Sequence, residues 1–175
     1  MGLLGNPSDG YGGRVLAFTF EDFRAEARVE PAASIVLEGP GSEPLHAGGW
    51  ADLLQRPPRS AGAGAVPLLL AAAQIFATEV VRMDTAAAPR RSGFGLQVSS
   101  DIPRQVGFAG SSAIIIAALR ALTAGHAIEV PPMELARLAL RAECDLLGIA
   151  FLIELKFLNG RERLKDVPVS ALLEY

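Results

Sequence analysis

Between Ser111 and Ala124 the chain carries a helix-length stretch that is apolar on nearly every side, with Arg120 and Thr123 as its polar breaks. A helix apolar all round has no face to offer water and belongs in an interior. Whatever the chain folds into must wrap this helix, and Gly125 marks where the helix stops. The apolar run from Ala113 to Leu122 is too short to span a bilayer, which takes about twenty apolar residues, and Arg120 breaks it.

The wrapping has to come from elements of a different period. Arg14 to Phe20 is rich in Val, Leu and Phe and reads as a strand. Arg24 to Glu30 alternates charged residues with Ala and Val, the pattern of a half-exposed strand. Ser34 to Glu38 is a third short strand, and turn residues between the three predict an antiparallel meander. Gly39 to Gly49 and Gln55 to Gly64 read as loops. Pro67 opens a helix to about Met83, placed where its missing N–H costs least. Gly93 to Ser99 is strand-like, and Pro131-Pro132 starts a last helix that runs to about Leu147 and stops at Gly148. This order gives an α+β domain. A chain of 175 residues can bury one real core.

Composition removes several function classes. A net charge of −3 and few aromatics give nucleic acid neither a basic footprint nor a stacking platform. The single cysteine, Cys144, forms no internal disulfide and no multi-cysteine metal site. Asn6 stands where myristoylation wants Ser or Thr, and no signal-peptide pattern opens the chain. The expectation is a cytoplasmic protein with no nucleic-acid or membrane partner. Only His46 and His126 could serve a serine hydrolase, and neither sits in a nucleophile motif.

The run Pro103, Arg104, Gln105, Val106, Gly107, Phe108, Ala109, Gly110, Ser111, Ser112 leads from a strand into the buried helix. A helix N-terminus presents unpaired N–H groups and the positive end of the dipole, and glycines let the backbone approach a ligand. That is an anion site suited to nucleotide phosphates, with serine hydroxyls able to reach a phosphate-bound Mg²⁺. The competing reading makes Ser111 a plain N-cap and the glycines a plain turn. The run is not a Walker A loop, a dinucleotide fingerprint or a nucleophile elbow.

On the last helix, Glu134, Arg137, Arg141, Cys144 and Asp145 share one arc, while Leu135, Ala139, Leu140, Ala142, Leu146 and Leu147 share the other. Glu143 falls inside the apolar arc. A core-facing carboxylate needs a partner. Either an arginine such as Arg120 or Arg104 supplies it, or Glu143 faces Ser112 across a Mg²⁺.

These segments resemble the GHMP-kinase superfamily. Pro103 to Ala113 looks like its second motif, Gly2 to Gly13 looks like the first motif in its glucuronokinase form, and Ala142 to Ala150 is similar to the segment with the family's metal-binding glutamate. The resemblance implies a GHMP-kinase N-terminal domain of the ribosomal protein S5 domain 2-like fold over residues 1–150, with an antiparallel or mixed sheet packed by helices. It implies an ATP- and Mg²⁺-dependent sugar kinase that phosphorylates D-glucuronate at the anomeric hydroxyl. Arg104 to Ser112, with Pro103 before them, would cradle the phosphates. Ser112 and Glu143 would hold Mg²⁺. Asn6, Ser8, Asp9 and Tyr11 would lie near the sugar, although the same residues make good turn chemistry.

After Ala150 the resemblance stops. Counted without a gap, Glu154 lands where the family has an aspartate base, and residues 151–175 read as a divergent tail joined onto the kinase-like part. The family's second domain is not recognisable, and both ends look cut. The alternative to an active kinase is therefore a non-catalytic fragment or pseudokinase that at most binds nucleotide. An unpaired domain face would leave an exposed apolar patch and a tendency to self-associate.

Overall fold

The computed structural model describes residues 2–4, 16–17, 22–58, 63–80, 93–104 and 108–148. Strands β1 (Gly2–Leu4) and β2 (Leu16–Ala17) pair antiparallel as a small ribbon. The main sheet is built from β3 (Ala25–Pro31), β4 (Ile35–Glu38), β5 (Leu45–Ala47) and β6 (Phe94–Ser100). The helices are α1 (Trp50–Gln55), α2 (Val66–Ile75), α3 (Gly110–Gly125) and α4 (Pro132–Arg141). A π-helical turn, Phe76–Val80, extends α2, and a second, Ala142–Leu146, extends α4.

The class is α+β, as the sequence implies, but the meander is not what forms. The strand order is β3-β6-β4-β5, with β6 antiparallel to β3 and parallel to β4. Alternation of side chains fixes which face of a strand is buried but does not name its neighbour. Gly93 makes the insertion of β6 possible. A Cβ there would lie 2.6 Å from the Ser34 backbone nitrogen and 2.8 Å from the Ala32 carbonyl oxygen. Any larger residue would push β6 away from the turn that joins β3 to β4. Residues 45–47, expected as loop, pair with β4 as the edge strand β5.

The sheet has one wet and one dry face. Arg24, Glu26, Arg28 and Glu30 point outward and form exposed ion pairs, Arg24 with Glu26 and Arg28 with Glu30. Ile35, Leu37, Phe94, Leu96 and Val98 point inward onto the helices. Helix α3 is the centre of that layer. Ile115, Leu119 and Leu122 are fully buried, and α3 packs on β3, α2 and α4. Its far end meets an aromatic group of Trp50, Phe76 and Phe94 around His126, whose Nδ1 lies 2.9 Å from the Leu122 carbonyl oxygen. The buried Gln74 is satisfied by donating to the Leu53 and Arg56 carbonyl oxygens at 2.8 and 2.7 Å, which ties α2 to the end of α1.

Among the described residues Leu54 is the one exposed large hydrophobic. No helix among the described residues is long and apolar enough to cross a membrane.

Candidate functional site

Strand β6 delivers the chain to the start of α3. The described ends of the connection are tied down. The Ile102 N–H donates to Ser100 Oγ at 3.2 Å, the Ile102 side chain is buried, and the Phe108 ring packs on Phe23 with centroids 5.9 Å apart. Pro103 is half-buried and Arg104 is exposed. The Arg104 guanidinium lies over Gly41, close enough that a Cβ there would sit 3.0 Å from Nη1.

Ala109 holds the cap position of α3 at φ 53°, ψ 36°, and makes no side-chain capping bond. That left-handed conformation is costly for a residue with a side chain, and such strain collects at functional sites. It leaves the first turn of α3 without the usual side-chain acceptor from the cap. The plain N-cap reading of Ser111 therefore fails, because Ser111 lies inside the helix and its hydroxyl points elsewhere.

That hydroxyl points to Glu143. Ser111 Oγ donates to Glu143 Oε1 at 2.8 Å, and Ser112 Oγ donates to the same oxygen at 2.9 Å. Glu143 is only 4% exposed. Helical spacing on α4 starts it toward the core, and the π-helical turn that contains it completes the aim. A π turn holds an extra residue, so side chains after its start are rotated relative to a regular helix. The Leu147 N–H reaches the Ala142 carbonyl oxygen at 3.1 Å to close that wider turn. The expected arginine partnership does not form among the described residues: Arg104 sits over Gly41, and Arg120 is exposed on α3.

The π turn is stitched to its surroundings. Arg141 Nη1 lies 2.9 Å from Glu79 Oε2 in the π turn after α2, and its Nε lies 3.4 Å from Asp145 Oδ2. The hydrogen bond to Glu79 leads in raising the Arg141 pKa above its ordinary value, burial opposes it, and Asp145 adds to it. An open cavity of about 490 Å³ lies between the ends of β4 and β6, lined by Glu38, Pro40, Ser42, Gln97 and Ser100 among others. It adjoins the Gly41 loop on which Arg104 rests and does not include Ser111, Ser112 or Glu143.

Of the residues expected to act, the structure brings Ser111, Ser112 and Glu143 together at the start of α3, with Phe108, Ala109 and Gly110 immediately before them. Arg104 and Pro103 stand on the approach. Gln105, Val106, Gly107, Asn6, Ser8, Asp9, Tyr11 and Glu154 lie outside the described residues. The sequence reading paired Glu143 with Ser112 and missed the equal bond from Ser111. Two adjacent serines in the first turn of a helix were the available signal. The Arg141–Glu79 tie had none, since the partners are 62 residues apart.

A mixed sheet thus feeds a strained loop, a buried helix and two hydroxyls that donate to a buried carboxylate. Residues 67–171 match the family described as the GHMP kinases N terminal domain, and the chain belongs to that family. Among individual proteins, Glucuronokinase 1 of Arabidopsis thaliana is 35% identical over 123 residues, covering 70% of this chain and 33% of that protein. The chain thus spans about a third of the length of this curated relative. The fold is also that of a crystal structure of mevalonate kinase, with a TM-score of 0.67 at 20% identity over 87% of this chain and 47% of that one. A likeness of another kind is short: adenine phosphoribosyltransferase of Trichodesmium erythraeum (strain IMS101) is 57% identical over 35 residues, 20% of this chain and 21% of that one.

Proposed function

We propose that the chain is the phosphate- and metal-binding part of an ATP- and Mg²⁺-dependent, cytoplasmic sugar kinase, with D-glucuronate as the acceptor and 1-phospho-D-glucuronate and ADP as products. The observation that carries this is the contact of Ser112 with Glu143 at the uncapped start of α3. The donor set suits Mg²⁺, a hard cation that takes oxygen ligands. Mg–O bonds of about 2.0–2.1 Å at right angles set neighbouring ligand oxygens about 2.9 Å apart. The Ser112 and Glu143 oxygens already stand at 2.9 Å. When bound, the cation would neutralise phosphate charge, and positioning with charge neutralisation is most of phosphoryl-transfer catalysis.

In this reading Arg104 through Ser112 receive the phosphates on backbone N–H groups and the Arg104 guanidinium. The cavity beside the Gly41 loop gives a nucleoside room, since ligand pockets commonly hold about 300–1,000 Å³. Asn6, Ser8, Asp9 and Tyr11 are assigned to the sugar side.

A second reading is favoured by the phosphoribosyltransferase likeness. The kinase motifs occupy residues 2–150. Residues 151–175 are the part that the kinase motifs leave unassigned, and this reading assigns the 35-residue likeness to that end of the chain. Glu154 would then derive from a different protein and not serve as a base. The chain would bind nucleotide without turning it over.

One experiment separates the two. ADP release from ATP is followed with glucuronate, galactose, arabinose or mevalonate, alongside Ser112→Ala and Glu143→Gln. Glucuronate-dependent release lost in both variants supports the kinase. ATP binding without release supports the second reading, and neither binding nor release refutes both.

A further inference from the structure

Glu143 Oε1 accepts two hydroxyl hydrogen bonds of nearly equal length, and a metal site needs only one of those serines as a ligand. We infer that Ser111 is a positioning residue: it holds the Glu143 carboxylate against the start of α3 so that Ser112 and Glu143 can share a divalent cation. The inference rests on the reading above that the cation lies between Ser112 and Glu143.

The argument starts from burial. Glu143 is 4% exposed, so water offers its carboxylate little help, and a buried acceptor is costly when it lacks donors. The carboxylate also stands at the end of a flexible side chain on a π turn, free to rotate unless something pins Oε1. Both serines do so while no cation is present. If Ser112 Oγ and Oε1 held a cation, the bond from Ser112 would weaken or realign. The 2.8 Å bond from Ser111 does not compete with the cation. It comes from the preceding position on the helix, about 100° around from Ser112. Glu143 therefore keeps a donor at every stage of metal entry. Partners that orient a metal ligand in this way typically change metal affinity by about 10- to 100-fold when removed.

Ser111 is only half-buried, so water can replace its hydroxyl in a variant and the fold need not suffer. The test uses the full chain and Mn²⁺ alone, titrated by electron paramagnetic resonance, in the wild type, Ser111→Ala, Ser111→Thr, Ser112→Ala and Glu143→Gln. Metal-free thermal melting accompanies each titration. The expected result is a loss of about 10- to 100-fold in Mn²⁺ affinity for Ser111→Ala at unchanged stoichiometry. Ser111→Thr, which restores the hydroxyl, returns the affinity to within about threefold of wild type, an energy difference of about 0.6 kcal/mol, at the low end of what one hydrogen bond contributes. If Ser112→Ala and Glu143→Gln abolish binding while Ser111→Ala matches wild type, the metal reading stands and the role of Ser111 is overturned. Ser111→Thr as weak as Ser111→Ala also overturns it, because the hydroxyl is then not the cause. A wild type that binds no Mn²⁺ overturns both.

Discussion

Replacing Glu143 by glutamine keeps the shape of the side chain and removes its charge, and the outcome tells a ligand site from a structural post. In the metal-free protein the change has two opposing effects. A hydroxyl hydrogen bond to a charged acceptor is worth about 1.5–3 kcal/mol, and one to a neutral acceptor about 0.5–1.5 kcal/mol. With two such bonds on Oε1, the substitution loses roughly 2–3 kcal/mol on this side. On the other side, taking a carboxylate out of water costs several kcal/mol, against about 1–3 kcal/mol for an amide. Glu143 is almost wholly buried, so most of that difference is recovered. The two effects cancel to within about 2 kcal/mol. Adding Mg²⁺ breaks the balance. At a hundredfold excess over its dissociation constant, a ligand of the native state stabilises it by about 2.7 kcal/mol. For a domain of this size each kcal/mol moves the melting midpoint by about 2–4 °C, so wild type rises by about 5–11 °C. The glutamine variant rises by less than about 1 °C, because an amide is a poor substitute for a carboxylate on Mg²⁺. Scanning calorimetry with and without Mg²⁺ measures both numbers. A variant that keeps the full Mg²⁺ response refutes the metal reading. A metal-free variant that loses more than about 4 kcal/mol shows that the carboxylate is a structural post.

Three further outcomes are expected. Leu138, 1% exposed where α4 meets α3, should cost about 2–5 kcal/mol when cut to alanine, measured by urea unfolding. Gly125→Ala puts a Cβ 2.5 Å from Val29 Cγ1, an overpacking worth about 1–3 kcal/mol, and adding Val29→Ala should return most of it in a double-mutant cycle. The hydrogen bond from Arg56, then that from the Gly48 N–H, holds the Asp52 carboxyl below its ordinary pKa. Its stabilising contribution is therefore present above the unfolded value of 3.8 and lost as pH falls through the lower folded value. Acid titration of stability should show a shallower slope for Asp52→Asn, and an unchanged slope would remove Asp52 from the account.

The sequence spoke clearly where one element decides its own fate. Helix α3 is apolar on nearly every side and had to be central. Gly148 closes the last helix with φ 65°, a conformation glycine takes without strain. Glu143 on an apolar arc signalled a buried partner, because few physical options satisfy such a group. What stayed hidden depends on more than one segment. The place of β6 between β3 and β4 turns on the close approach at Gly93, which no local pattern records. Strand β5 and helix α1 are too short for periodicity to rise above their glycine-rich surroundings. The π turns leave no mark in composition, and they set the final aim of Glu143 and the tie from Arg141 to Glu79.

The insertion of β6 also fixes an order of events during synthesis. Strands β3 and β4 do not pair with each other, and the strand that joins them begins at Phe94, 56 residues after β4 ends at Glu38. At about 5–20 residues per second, the ribosome leaves the half-made sheet without its middle for roughly 3–11 s. Throughout that interval Ile35 and Leu37 have β5 on one side and lack β6 on the other, and the inner edges of β3 and β4 present unpaired backbone. Nascent chains of this protein should accordingly engage chaperones most strongly before residue 100 emerges, and a parallel, long-range closure of this kind sets a slow folding rate.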